Sequence, residues 1–132
     1  MPVNLNLSIL VVDNSPNTIR FTRDVLRKLG YKDVGLANGG NSALDMMRAN
    51  NYDLVICEWN MEPMTGYELL RHMHTAIGRI PFILMAAQPR IENVEAARDA
   101  GASGFIAKPF NAATLGAKID AAMVASRYFI DD

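Results

Sequence analysis

The chain has 132 residues, half of them hydrophobic, a formal net charge of −1 and a single cysteine. That length suits one domain over residues 1–132, with a core large enough to fold alone, and the near-neutral charge offers no basic field to nucleic acid or an anionic membrane. The opening MPVNLNLS has neither the basic start nor the apolar stretch of a secretory signal, and no apolar run reaches the roughly 20 residues that span a bilayer, so a soluble cytoplasmic protein is expected.

The first apolar run, Ile9–Val12, is too short for a helix and ends at Asp13-Asn14. Ser15-Pro16 opens a helix with the stripe Phe21, Val25, Leu26 and Leu29, closed by Gly30. Arg20, Arg23 and Arg27 share one face of it, which reads as a solvated face. A short strand is expected at Asp33–Ala37, followed by a helix with Ala43, Leu44 and Met47 inward. Leu54–Cys57 is the next strand. It stops at Glu58, before a Trp-Asn-Met-Glu-Pro loop. Cys57 lies inside the run, where it reads as a small buried hydrophobe. Leu69, Leu70, Met73 and Ile77 stripe a third helix; His72 and His74 are two apart on it and cannot face one metal together.

Phe82–Ala86 forms a further strand, then Ile91, Val94 and Ala97 stripe a helix that ends at Gly101. The weaker run Phe105–Ala107 leads to Lys108-Pro109, and Leu115, Ile119, Ala122 and Met123 stripe the last helix. Beyond it, Tyr128, Phe129 and Ile130 either fold back over the domain or join a dimer or partner contact.

Continuous apolar strands indicate a sheet covered on both faces, hence parallel. Five β–α units in a row imply right-handed crossovers and an α/β doubly wound three-layer sandwich. Ligands on such sheets bind beyond the carboxyl ends of the strands. Asp13, Glu58 and Lys108 all fall at that edge, so two acids and a lysine converge there.

The segments "ILVVDN", "EWNMEPMTGYELL" and "AGASGFIAKPF" resemble, in the right order, the CheY-like receiver domains of two-component response regulators. The resemblance spans nearly the whole chain and implies a flavodoxin-like (βα)5 fold with strand order 2-1-3-4-5. In that family an aspartate ending the third strand takes a phosphoryl group from a histidine kinase. An acid pair and a backbone carbonyl hold Mg²⁺, and a Thr or Ser and a Lys hold the phosphoryl oxygens. By position Asp13 matches the first acid, Asn60 the carbonyl donor, Lys108 the lysine and Phe105 the aromatic switch; the Lys108-Pro109 bond is implied to be cis.

Three positions depart from that pattern. Glu58 stands at the phosphoacceptor, Asn14 at the second acid and Ala86 at the hydroxyl residue. Glu62 also precedes the loop proline, at a position expected to face the site. Glutamate advances its carboxylate by about 1.5 Å, into space where a metal with a strict octahedral cage would sit. Asn14 removes a charge from that cage, leaving Asp13, Glu58 and Asn60 as candidates for a weak Mg²⁺ site or none. Ala86 has no hydroxyl and leaves room for Phe105 to stay inward.

Phosphoryl transfer depends on positioning and electrostatics, and both are impaired. The expectation is a receiver-like signalling module that is not an enzyme, has no catalytic residue and no required cofactor. Glu58 would reach Lys108 either as a fixed stand-in for a phosphorylated aspartate or as a plain ion-pair partner. Function would follow from binding a protein partner through the fourth-helix, fifth-strand and fifth-helix face, with no histidine kinase assigned and no nucleic acid. The alternatives are a phosphorylatable regulator with altered Mg²⁺-dependent chemistry, or a cyclic-dinucleotide binder using the arginines of the first helix.

Overall fold

The computed structural model describes residues 4–126; Tyr128, Phe129 and Ile130 lie outside them. Five strands alternate with five helices: β1 (Ser8–Val12), α1 (Pro16–Lys28), β2 (Asp33–Ala37), α2 (Gly40–Ala49), β3 (Leu54–Glu58), α3 (Gly66–Ala76), β4 (Phe82–Ala86), α4 (Ile91–Asp99), β5 (Gly104–Ala107) and α5 (Ala112–Ser126). The strands form one parallel sheet in the order β2-β1-β3-β4-β5. The expected fold and strand order are therefore correct.

The continuous apolar runs follow from burial on both sides. Ile9 and Val11 face one core with Ile19, Leu26, Leu115 and Ile119 of α1 and α5. Their neighbours Leu10 and Val12 face the other, with residues of α2, α3 and α4. Successive strand side chains point to opposite faces, so a strand covered twice must be apolar at every position.

Two expected stripes are corrected. Phe21 is 47% exposed, and the buried positions of α1 are Ile19, Thr22 and Leu26. Thr22 takes an inward place because its hydroxyl donates to the Thr18 carbonyl at 3.2 Å, which satisfies its polar group inside the core. On α4 only Ala97 is buried, while Ile91 is 72% exposed and Val94 is exposed. This helix touches the sheet along a narrow line, so two of its three stripe residues face out.

The helix boundaries follow from local chemistry. Gly30 adopts φ 104° just after α1, a conformation that side chains resist. At the start of α3, the Thr65 hydroxyl accepts from the Glu68 N–H at 3.1 Å while the Glu68 carboxylate accepts from the Thr65 N–H at 2.9 Å, a capping box. Gly66 is required by close approach: a Cβ there would collide with the Glu58 carbonyl oxygen and press on Leu84. The start of α3 is thereby seated directly against the end of β3.

Candidate functional site

Parallel strands place Asp13, Glu58, Ala86 and Lys108 along one edge. The register pairs Glu58 with Met85 and Ala86 with Ala107, and the Lys108 N–H donates to the Ala86 carbonyl at 2.9 Å. Backbone pairing thus fixes where the Lys108 side chain starts. Its peptide bond to Pro109 is cis, as the resemblance implied; Glu62-Pro63 is also cis, which was not expected.

Lys108 bridges the two acids. Its Nζ donates to Asp13 Oδ2 at 3.1 Å and to Glu58 Oε1 in a short contact. The other oxygens are engaged as well: Asp13 Oδ1 accepts from the Ser15 N–H at 3.0 Å, and Glu58 Oε2 accepts from the Asn60 N–H at 2.9 Å. Asp13 is 2% exposed and Glu58 8% exposed, and they are the buried acids among the described residues. Burying a carboxylate is costly unless it is paired and hydrogen-bonded, and here every oxygen has a partner. One ammonium between two carboxylates leaves the cluster with an excess negative charge.

The other expected site residues separate into contributors and bystanders. Asn60 is exposed and contributes its N–H to Glu58. Asn14 is exposed and joins no hydrogen bond among the described residues. Glu62 is exposed and forms no ion pair with Lys108. Ala86 is half-buried at the end of β4. Phe105 is half-buried and packs its ring 6.0 Å from that of Trp59.

The sequence reading passes over Trp59. Its ring stacks on Tyr67 of α3 at 5.5 Å and tilts against Phe105 of β5, while its carbonyl accepts from the Gly66 N–H at 2.9 Å. Arg71 lies over the Tyr67 ring at 5.9 Å. Trp59 therefore joins the residue next to Glu58 to both α3 and β5. Its place directly after the strand-ending acid was the signal available in the sequence.

Cys57 is fully buried, and its thiol donates to the Glu58 carbonyl at 3.2 Å. Burial, reinforced by the carboxylates of Glu58 and Asp13, pushes the thiol well above its ordinary range. A thiol held protonated is a poor nucleophile, in line with the core reading. Arg20 donates to Asn17 at 3.0 Å and Arg23 pairs with Asp24 at 3.1 Å, contacts typical of a solvated helix face.

The donors do not fit Mg²⁺. An octahedral oxygen cage needs several free oxygens around one point, yet the Lys108 ammonium lies between the two carboxylates that are buried among the described residues. No cluster of three acidic, histidine or cysteine side chains suited to a metal exists among the described residues. A dication entering here would have to displace the lysine.

A groove of about 940 Å³ runs between α4, β5 and α5, lined by Val94, Ala97, Phe105, Ile106 and Phe110, with Arg98 and Lys118 at its sides. A smaller pocket of about 390 Å³ lies beside Lys108, between Phe21 and Phe110, whose rings are 5.7 Å apart. No helix among the described residues is long and apolar enough to cross a membrane.

Residues 9–120 match the response regulator receiver domain family. The chain is 35% identical over 120 residues to the chemotaxis protein CheY-3 of Vibrio cholerae, covering 89% of this chain and 92% of that one. It is 33% identical over 116 residues to CheY of Pseudomonas aeruginosa, covering 86% and 94%. Among solved structures, CheY4 of Vibrio cholerae superposes with a TM-score of 0.81 at 26% identity, covering 87% of this chain and 97% of that one. A CheY-like receiver domain protein of Methanospirillum hungatei gives 0.82 at 25% identity, covering 93% and 98%. With the acid pair and lysine gathered at the carboxyl edge of a 2-1-3-4-5 sheet, the chain belongs to the response regulator receiver-domain family and is CheY-like within it.

Proposed function

We propose that this receiver acts in two-component signalling without being phosphorylated, as a protein-interaction module rather than an enzyme. The observation that carries the reading is the closed charge cluster: Lys108 is shared by Glu58 and Asp13, and the remaining Glu58 oxygen is held by the Asn60 N–H. A carboxylate attacking a phosphoryl donor needs a free oxygen and a cation to offset the incoming charge. Here the lysine is already committed, Asn14 stands where a second acid would help hold a metal, and Ala86 has no hydroxyl to grip the transferred group. Glu58 carries a fixed negative charge to Lys108, as an acyl phosphate would, though with less charge.

The partner surface in this reading is the groove between α4, β5 and α5. Its floor is apolar, and Phe105, packed against Trp59, forms part of its wall. The cyclic-dinucleotide alternative gains no support, since Arg20 and Arg23 are engaged with Asn17 and Asp24.

Incubation with acetyl phosphate and Mg²⁺, followed by intact-mass measurement, tests the proposal. The expected spectrum shows no added phosphoryl group. A phosphoryl adduct that disappears in Glu58→Gln would establish a phosphorylatable regulator instead.

A further inference from the structure

β5 stands last in the sheet order, so one of its two sides has no neighbouring strand among the described residues. Ser103, in the bend before it, donates to the Phe82 carbonyl at 2.8 Å, and just past its end the Lys108 N–H donates to the Ala86 carbonyl at 2.9 Å. With the register running from Ile83↔Gly104 to Ala86↔Ala107, the phase set at Lys108 turns the backbone groups of Gly104 and Ile106 toward β4. Those of Phe105 and Ala107 alternate with them and point outward, where they meet no hydrogen-bonding partner among the described residues. That side opens into the groove between α4 and α5, whose lining includes every residue from 102 to 107. We propose that a partner protein adds an extended segment to β5 as a sixth strand, hydrogen-bonded to Phe105 and Ala107, with acidic residues toward the Gly104 end and apolar residues toward the Ala107 end. The proposal rests on the interaction-module reading above and names the form its partner takes.

Edge strands that resist pairing carry charges or proline. Between Gly101 and Lys108 this chain has neither, whereas β2, the other edge, begins at Asp33 directly after Lys32. Depth decides between a strand and a helix as occupant. A strand pairs about 4.8 Å from its neighbour and satisfies the outward amides. A helix is about 10 Å across with its own amides bonded internally, so it would cover those of β5 and leave them unpaired, which is costly. Charge sets the composition. Arg98 and Lys118 are the charged residues of the lining; Arg98 has only a loose 3.9 Å contact with Asp99, and Lys118 forms no ion pair among the described residues. Helical spacing puts Glu92, Glu95 and Asp99 on the face of α4 away from Ala97, and Asp120 of α5 lines a different cavity, beside Tyr31. Crossover helices run antiparallel to the strands they join. Arg98, near the end of α4, and Lys118, about 9 Å into α5, therefore flank the Gly104 end, while Val94 and Phe110 flank the Ala107 end. Successive side chains of an added strand point alternately to α4 and to α5, so two adjacent acids reach one cation each.

Two end-blocked synthetic peptides, Glu-Glu-Val-Ile-Val and its reverse, cover the two strand directions and test this by amide NMR on the full labelled chain. With peptide at about ten times its Kd, one of them should slow exchange of the Phe105 and Ala107 amide protons about tenfold. Ile106 should change little, since its N–H already bonds to β4. The same sequence with lysine in place of glutamate should bind about tenfold more weakly, and in the double variant Arg98→Glu, Lys118→Glu that preference should invert. Methylating every backbone nitrogen of the binding peptide should abolish the protection. The peptide comparisons use the parent chain, so they decide the matter even where the variant fails to fold. Absent protection at Phe105 and Ala107, or protection indifferent to peptide charge, would overturn the proposal. So would protection in the free chain that grows with its concentration, since the occupant would then be a second copy. Groove resonances that shift without amide protection would overturn strand addition and leave the interaction-module reading standing. A phosphoryl adduct on Glu58 would overturn that reading and leave the amide measurements as they are.

Discussion

At the scale of single residues, Lys108 and its two acids form the buried ion pairs among the described residues. Glu58→Gln keeps the side-chain shape and an acceptor oxygen but leaves Lys108 with Asp13 as its one charged partner. Hydrogen bonds to charged groups contribute about 1.5–3 kcal/mol, more than neutral ones, so a loss of about 1–3 kcal/mol is expected in denaturant unfolding. A variant as stable as the parent would show that the Glu58 charge holds nothing together. His74 offers a second test at this scale. Burial and, to a lesser degree, the nearby Arg79 lower its pKa from the ordinary 6.5. Below 6.5 the unfolded chain therefore takes up a proton more readily than the folded one. Its contribution to stability is full above pH 6.5 and is lost as pH falls through the depressed folded value. Thermal unfolding of His74→Gln should show a shallower decline in Tm from pH 7 to pH 5 than the parent. Of this chemistry, Asp13, Glu58 and Lys108 were legible in the sequence because strand ends can be read from apolar runs. The Asn60 N–H and Trp59 were not, since a loop's backbone direction and a ring's neighbours depend on the tertiary fold.

At the scale of elements, the seam between β3 and α3 seats Gly66 directly against the Glu58 carbonyl. Gly66→Ala would drive a methyl against the Glu58 carbonyl, and overpacking of this kind costs about 1–3 kcal/mol. Thr65→Ala removes one half of the capping box, at about 1 kcal/mol. The two changes should differ in reach. Thr65→Ala should shift amide resonances within α3, and Gly66→Ala should also shift Glu58, Trp59 and Asn60, which heteronuclear NMR distinguishes. All ten elements were legible in the sequence, because breakers and changes of hydrophobic period mark their ends. Which side chains face inward was less so. Phe21 and Ile91 read as core by spacing, yet burial depends on how much of a helix the sheet covers. Thr22 reads as polar, and it is buried because its hydroxyl bonds its own helix.

At the scale of the whole molecule, the groove between α4, β5 and α5 is lined by Ala107 and Pro109 on either side of Lys108, and the charged edge and groove must communicate if Glu58 is more than a structural acid. Regulators that rely on a hydroxyl at the end of β4 have a mover there; Ala86 cannot serve, having neither the group nor the reach. The contiguous alternative runs through Trp59, bonded to Glu58 in the chain and packed on Phe105, which lines the groove. A built-in charge shifts an equilibrium only by its differential interaction with the two states, and spatial adjacency alone does not establish coupling. The prediction is therefore a pairwise one. Glu58→Gln should shift the amide resonances of Phe105 and of α4 residues lining the groove. In a Trp59→Leu background the same change should leave those resonances nearly still, while the lowered unfolding stability persists. Partner affinity should follow the resonances and not the stability. If Glu58→Gln lowers stability but moves neither the groove resonances nor the affinity, the acid is an anchor for Lys108 alone. If the response survives Trp59→Leu, the charge reaches the groove by another route, and the β5–α5 loop carrying Lys108 becomes the connection.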